Sequence, residues 1–136
     1  HLVLATLHTN DASSAVTRLI DMGVEPFLLS SSLLGVLAQR LVRKLCLHCR
    51  RQDASGEWHP VGCDQCGHSG YQGRTGIHEL LVAGDELRAL IHNEASEADI
   101  RVLAIQQGMQ LMRTDGERLV KSGDTSREEL LRVTRD

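Results

Sequence analysis

Four cysteines, arranged as two Cys-x-x-Cys pairs, constrain this chain more than any other feature. Cys46 and Cys49 form the first pair, Cys63 and Cys66 form the second, and thirteen residues separate them. The segment from residue 46 to residue 76 is rich in glycine and poor in apolar side chains, so burial alone cannot hold it in one conformation. We therefore expect a cross-link within this segment.

A zinc ion is the cross-link that this spacing favours. Zinc binds four thiolates in a tetrahedron, and each Cys-x-x-Cys turn presents two of them on one side of a tight loop. The alternatives are disulfides, which belong to an oxidising compartment, and a thioredoxin-like redox pair, which uses a single Cys-x-x-Cys. Neither accounts for four cysteines as well as zinc does. A closed shell of four thiolates has no position for a water molecule, which predicts a structural ion and not a catalytic one.

Other side chains near the cysteines offer further ligands or partners. His48, His59 and His68 could each replace a thiolate, but four cysteines already close the shell, so we expect these histidines in solvent. Nucleic-acid binding is not expected, because only Trp58 could stack on a base and acidic residues are interspersed. A basic group without acids does occur, and it predicts a solvated face, an acidic lipid contact, or a protein or nucleotide phosphate partner. This group comprises Arg40, Arg43, Lys44, Arg50 and Arg51.

Composition indicates a cytosolic, helix-rich domain. The chain has 136 residues, of which 41% are hydrophobic, with one Trp, one Tyr and one Phe, so its core must be aliphatic. A formal net charge of -3 gives no overall attraction to nucleic acid or anionic membranes. We find neither an apolar run of about 20 residues nor a signal peptide. Because the sequence starts at His1 within an apolar run, we expect it to be a piece of a longer protein.

The order of secondary structure follows from local signals. Residues 2–7 predict a buried strand, Asn10 or Asp11 can cap a following helix, and Pro26 predicts the start of a second one. Residues 34–45 fit either a helical stripe or a strand. Later helices are predicted to start at Ser96 and Ser126, each with an acidic residue three positions on. Glycines are predicted to end helices at positions 84, 108 and 123.

Three segments resemble the secretion ATPase superfamily, the hexameric P-loop motors of type II secretion and type IV pili. HLVLATLHTNDA (residues 1–12) is similar to the histidine box of these motors. GVLAQRLVRKLC (35–46), the two cysteine pairs and GYQGRTGIHELL (70–81) follow in the family's order and spacing. Residues 73–79 look most like the type II secretion members, protein E.

The resemblance implies a fold and a domain organisation. It implies an α/β fragment made of the end of a RecA-like core, a tetracysteine zinc-binding loop and an α-helical C-terminal subdomain. The expected boundaries are 1–45 for the core, 46–73 for the tetracysteine segment and 74–136 for a strand followed by the helical subdomain.

The resemblance also implies a chemistry and partners. The full-length motor would hydrolyse ATP with Mg²⁺ between the subunits of a hexamer and act on inner-membrane platform proteins, at the cytoplasmic side of the bacterial inner membrane. His8 matches the histidine placed to sense the γ-phosphate, and His1 matches the second, weaker histidine of the box. Arg74 and Arg40 match positions where a guanidinium could reach a phosphate or a neighbouring subunit. For His8 the alternative is a polar residue at a strand end, and for each arginine it is a surface ion pair.

The sequence departs from the motor family in one important respect. It contains neither the phosphate-binding pattern Gly-x-x-x-x-Gly-Lys-Ser/Thr nor an acidic Walker B strand, so we predict no ATP hydrolysis by this chain alone. The alternatives are a type IV pilus assembly ATPase fragment and a stand-alone zinc-binding module that contacts proteins or nucleic acid.

Overall fold

The structure, a computed structural model, describes residues 1–135. These residues form six α-helices, four β-strands and one short 3-10 helix, Asp64–Cys66. The mixed α/β content confirms the predicted class. The elements are α1 (Ala12–Asp21), α2 (Pro26–Ser32), β1 (Gly35–Leu45), β2 (Arg51–Gln52), β3 (Trp58–His59), β4 (Tyr71–Val82), α3 (Asp85–His92), α4 (Glu97–Gln106), α5 (Met112–Ser122) and α6 (Arg127–Val133).

Two pairs of strands form within the described residues. β1 pairs with β4, and β2 pairs with β3 in a short antiparallel hairpin. The Ala83 N–H donates to the Leu34 carbonyl at 3.0 Å, and the Cys46 N–H donates to the Gly70 carbonyl at 2.9 Å. Contacts between the start of one strand and the end of the other mean that β1 and β4 run antiparallel.

The chain divides into two compact units, and β1 and β4 contribute residues to both. The first unit contains His1–Ala38 and Glu79–Gln110. Its core is formed by the apolar faces of the first four helices and the end of β4, where side chains are removed from water. The buried side chains of this core are Ala12, Val16, Leu29, Leu81, Ala83, Leu87, Ile91, Ile100, Ala104 and Met109.

Helix starts in the first unit follow the predicted caps. Asp11 caps α1, because its carboxylate accepts the Ser14 N–H at 2.8 Å, and Pro26 is the first residue of α2. Ser96 caps α4 through a bond from the Asp99 N–H at 3.1 Å.

Gly84 directly precedes α3, so the prediction that it ends a helix is wrong.

The second unit contains Gln39–His78 and the described residues from Leu111 onward. This unit contains the cysteine segment together with α5 and α6, although α3 and α4 lie between them in sequence. The Leu45 N–H donates to the Asp124 carbonyl at 2.8 Å, and the Thr125 hydroxyl donates to the Arg43 carbonyl at 2.7 Å. These bonds hold the end of β1 against the turn between α5 and α6.

Two expectations about strands have different outcomes. The predicted strand at residues 2–7 is wrong: these residues form no strand, and Leu2, Val3 and Leu4 are largely exposed. A strand needs a neighbour to bond its N–H and C=O groups, and none of the described residues pairs with this segment. The ambiguous segment 34–45 is a strand, because β4 supplies that neighbour.

Glu129, the third residue of α6, is a buried carboxylate in the second unit. Its exposure is 1%, and its oxygens accept the Arg43 N–H at 3.0 Å, the Arg43 guanidinium at 2.8 Å and the Arg132 guanidinium at 2.7 and 2.9 Å. Burial opposes ionisation of this carboxyl group, but hydrogen bonds from Arg132 and Arg43 outweigh it and lower its pKa to about 2 from the ordinary 4.5. Glu129 therefore stays charged and joins β1 to α6.

This carboxylate predicts an acid-sensitive stability. Because its pKa is lower in the folded state, its contribution is complete above about pH 4.5 and is lost as pH falls through about 2. We expect Glu129→Gln to lower the free energy of unfolding by about 2–3 kcal/mol at pH 6, with the difference from wild type shrinking towards about pH 2.5. Urea unfolding of both proteins across this pH range measures it.

The exposed Glu86→Gln is the control, and it should match wild type throughout. Since all three proteins carry the same cysteine loop, the loop's own sensitivity to acid cancels in the difference. A Glu129→Gln difference that is constant with pH would contradict the assignment.

Candidate metal centre

Each cysteine pair lies in a tight turn next to a secondary-structure element. Cys46 follows β1, and its carbonyl accepts the Cys49 N–H at 3.3 Å and the Arg50 N–H at 2.9 Å. Cys63 precedes the 3-10 helix, and its carbonyl accepts the Cys66 N–H at 3.2 Å and the His68 N–H at 2.8 Å. Both turns therefore direct two sulfur atoms to one side, as the spacing predicts.

The four sulfur atoms form one cluster. The Sγ atoms all lie within 4.8 Å of one another; the separations are 3.9 Å for Cys46 and Cys63, 3.9 Å for Cys49 and Cys66, and 3.8 Å for Cys63 and Cys66. A tetrahedral site with metal–sulfur bonds of about 2.3 Å has sulfur–sulfur edges of about 3.8 Å. A disulfide needs about 2.05 Å, and the described cysteines are all free thiols. The cluster thus has the dimensions of a tetrahedral metal site with four cysteine ligands.

Backbone amides point at the sulfur atoms. The Gly62 N–H donates to the Cys49 sulfur at 3.3 Å, and the Cys63 and Gly70 N–H groups donate to the Cys66 sulfur at 3.3 and 3.2 Å. Burial opposes ionisation of the Cys66 thiol, but the hydrogen bonds from these two amides and from the Cys63 and Cys49 thiols outweigh it and lower the pKa of Cys66 to about 6. The same effect of burial raises the pKa of Cys63 to about 11. Donors aimed at sulfur favour thiolate ligands, which is what a metal requires.

Gly70 joins the two turns and must be a glycine. Its N–H donates to Cys66 and its carbonyl accepts from Cys46, so it contacts one cysteine of each pair. Its φ is +80°, and a Cβ added to it would lie 2.6 Å from the Cβ of Pro60. Sequence reasoning misses Gly70, because a glycine in a glycine-rich loop carries no local signal of such a contact.

The β2–β3 hairpin, which lies between the cysteine pairs, packs on the C-terminal end of α5. The Arg50 guanidinium lies 4.4 Å from the Trp58 ring centre and donates to the Gly123 carbonyl. Gly123 has φ of +78°, and a Cβ there would lie 2.8 Å from the indole ring. Arg127 of α6 forms ion pairs with Glu57 and with Glu117. The cysteine segment is therefore attached to the helices of its own unit.

The histidines of the segment lie outside the cluster. His48 is exposed, His59 pairs with Asp53 at 2.7 Å, and His68 pairs with Asp64 at 3.0 Å. The Asp53 carboxylate also accepts hydrogen bonds from Ser55 and from the Glu57 N–H. Together with the bond from His59, these hydrogen bonds hold the pKa of the Asp53 carboxyl group well below the usual range. The exposed Asp53 carboxylate is thus occupied with stabilising its own turn.

The predicted phosphate-contacting residues occupy different surroundings. His8 and His1 belong to the first unit, where His1 is exposed and His8 lies in an open depression. Arg74 is exposed on β4, and Arg40 donates to the Val133 carbonyl in the second unit. The depression is lined by His8, Thr9, Asn10, Ser14, Thr17, Arg18, Asp21 and Glu97.

Most of the basic group is bound within the chain. Arg43 pairs with Glu129 and lies 4.2 Å from the ring centre of Tyr71, Arg50 lies over Trp58, and Arg40 contacts Val133. Arg51 is exposed. Arg40, Arg43 and Arg50 therefore stabilise the second unit, which leaves less of this basic group for a solvated face or for a lipid or phosphate partner.

Comparison with known proteins identifies the family. The model of the Type II/IV secretion system protein family matches residues 1–132. The chain belongs to this family. The predicted resemblance to secretion ATPases is thereby confirmed.

Individual relatives agree with the family assignment. The chain is 65% identical over its full length to the type II secretion system protein HxcR of Pseudomonas aeruginosa, covering 29% of that protein. It is 51% identical to the type II secretion system protein E of Aeromonas hydrophila and 50% identical to the type II secretion system ATPase E of Vibrio cholerae, covering all of this chain and 30% of each relative. The chain therefore spans about 30% of the length of these relatives.

Two solved structures share the fold. The pilus retraction motor PilT with bound ADP aligns with a TM-score of 0.68 and 25% identity, over all of this chain and 33% of that one. The Legionella pneumophila ATPase DotB aligns with a TM-score of 0.62 and 18% identity, over 94% of this chain and 30% of that one. In the described residues, no helix is long and apolar enough to cross a membrane.

The contact between Trp58 and Gly123 predicts how the cysteine segment responds to a distant substitution. We expect Gly123→Ala to displace the indole, because the added methyl group would overlap it and the positive φ disfavours alanine. Trp58 is the only tryptophan of the chain, so a red shift of its fluorescence and easier quenching by iodide report the displacement directly. Gly108→Ala, which has a similar φ but no neighbour within 4 Å, is the matched control. Equal spectra for the two variants would show that the hairpin does not pack on α5.

Proposed function

We propose that this chain is part of the motor ATPase that powers type II protein secretion by assembling a pseudopilus. The main support is the family match over residues 1–132, together with relatives that are named for type II secretion at 50–65% identity. The similarity to PilT supports a motor of the same fold. Because PilT is only 25% identical, this similarity supports a type IV pilus assembly ATPase less than the type II secretion relatives support a secretion ATPase. A stand-alone zinc module is disfavoured, because the family model covers the helices as well as the cysteine segment.

ATP hydrolysis would belong to the full-length protein. Phosphoryl transfer depends on positioning and on neutralising charge, and both need a phosphate-binding loop and Mg²⁺ ligands that this sequence does not contain. His8 lies beside Thr9 and Asn10 in an open depression. There it would approach the γ-phosphate and sense it. His1 would assist more weakly from the start of the same segment.

Arg74 is the better of the two arginines for contact with a phosphate or a neighbouring subunit. It is exposed, and a guanidinium there is available for paired hydrogen bonds. Arg40 would first have to release the Val133 carbonyl.

We propose the following organisation for the parent protein. Residues 1–45 would complete a RecA-like core, 46–73 would form the metal loop, and 74–136 would form a strand and the helical C-terminal subdomain. The parent would work as a hexamer in the cytoplasm, against platform proteins of the inner membrane. Contact with acidic lipid would rest on residues such as Arg51, since Arg43 and Arg50 have partners within the chain.

Zinc is the metal that the cysteine cluster suits best. Four thiolates at tetrahedral spacing match its ligand preference, and a closed shell suits a structural role. The loop has little apolar surface, so the binding free energy of the metal would supply the folding free energy that burial does not. Zinc would thereby hold the hairpin where Trp58 reaches α5.

The metal assignment predicts one zinc ion per chain after purification without added metal, measured by elemental analysis. Cys63→Ser should lose most of this zinc and shift Trp58 fluorescence to the red, because the loop would leave α5. Far-ultraviolet circular dichroism should change little, since the core of the first unit does not include the loop. His48→Ala, an exposed histidine of the same loop, should bind zinc normally. Metal-free protein with reactive thiols or disulfides would contradict the assignment.

The motor assignment predicts that His8→Ala lowers kcat for ATP hydrolysis by the full-length protein about tenfold or more, with nucleotide affinity within about threefold of wild type. The reason is that a residue contacting the γ-phosphate acts mainly in the transition state. Steady-state hydrolysis and nucleotide titration measure the two effects. His92→Ala, an exposed histidine at the end of α3, should retain full activity. Unchanged hydrolysis in His8→Ala would contradict the role of His8.

A further inference from the structure

Glu79 is a buried carboxylate on β4 that the proposed mechanism does not use. Along β4 the buried side chains are Ile77, Glu79 and Leu81, so Glu79 occupies a position where the alternation calls for an apolar residue. Its exposure is 3%. Burying a carboxylate costs free energy unless hydrogen bonds compensate for the lost water, so this position needs polar partners.

One such partner is the start of α1. The Glu79 Oε1 atom accepts the N–H of Ala12, the first residue of α1, at 3.0 Å. The first amides of a helix lack partners within the helix and carry partial positive charge, so they stabilise a carboxylate. Ala12 lies 67 residues from Glu79 in sequence, and both belong to the first unit.

The residue before Ala12 is held from another direction. Asp11 caps α1 through Ser14, and its second carboxylate oxygen forms an ion pair with Arg101 of α4. Arg101 also pairs with Glu97 at 3.2 Å. The Thr9 hydroxyl donates to the Asp11 carbonyl at 3.2 Å, which ties the segment carrying His8 to the same point.

We propose that Glu79 and Arg101 are positioning residues for His8. β4 and α4 fix the first residue and the cap of α1, and Thr9 connects that fixed point to His8. This inference rests on the proposed role of His8 in the full-length motor. Neither residue needs to touch nucleotide, so both act on the chemical step through His8 and not on nucleotide affinity.

The test uses the full-length protein and compares Glu79→Ala, Glu79→Gln and Arg101→Ala with wild type. Glu79→Ala and Arg101→Ala should each lower kcat about fivefold or more while KM and nucleotide affinity stay within about threefold. Glu79→Gln keeps an oxygen that accepts the Ala12 N–H, so it should recover most of the kcat. Glu86→Gln, an exposed glutamate of α3 in the same unit, is the control and should resemble wild type.

A double substitution separates positioning from general damage to the fold. If Glu79 acts through His8, the His8→Ala and Glu79→Ala double variant should hydrolyse ATP no more slowly than His8→Ala alone. Multiplied losses in the double variant would overturn the proposal. If Glu79→Ala does not fold, Arg101→Ala replaces it in the comparison of single and double variants, because the Arg101 side chain is 39% exposed and its loss should perturb the fold less.

The outcomes also distinguish this inference from the proposed function. A loss of activity in His8→Ala without a loss in Glu79→Ala and Arg101→Ala would leave the role of His8 standing and overturn positioning by β4 and α4. Full activity in His8→Ala would overturn both. Hydrogen exchange at residues 9–14 gives a readout besides activity: it should accelerate in Glu79→Ala and not in Glu86→Gln, and unchanged exchange would also overturn the proposal.

Discussion

The pairing of β1 with β4 is the constraint on which the other contacts depend. The two strands are separated by the whole cysteine segment, so their pairing closes a long loop and must offset the chain entropy that this closure removes. The bond from the Cys46 N–H to the Gly70 carbonyl closes the base of the loop. That bond brings the two cysteine turns close enough for four sulfur atoms to form one cluster.

Glu79 and Glu129 show one physical solution in two units of the molecule. Each is a nearly fully buried carboxylate, and each accepts a backbone N–H from an element distant in sequence: Ala12 for Glu79 and Arg43 for Glu129. A buried charge that loses its partners is far more costly than a lost apolar contact, so such a bond selects one arrangement strongly. The aliphatic core fills space, while these carboxylates specify which helix or strand end lies beside them.

Local signals in the sequence predict local structure well. Asp11, Ser96 and Ser126 cap helices because a cap needs only the three following residues, and the cysteine turns form because their spacing defines them. Strands depend on a neighbour that can lie anywhere in the chain. For this reason the strand predicted at residues 2–7 is wrong, and the apolar pattern of residues 34–45 does not decide between helix and strand.

Contacts between distant residues decide which side chains remain available for function. Arg40, Arg43 and Arg50 form a basic group in sequence, which suggests a surface for phosphate or lipid. Packing gives each a partner: a carbonyl for Arg40, a buried carboxylate for Arg43 and an indole ring for Arg50. A glutamate at a buried position of β4 is the sequence signal for a comparable contact at Glu79, since a charge at an apolar position needs a partner. A charged residue close to a metal or nucleotide motif is therefore available to a ligand only where no partner within the fold already binds it.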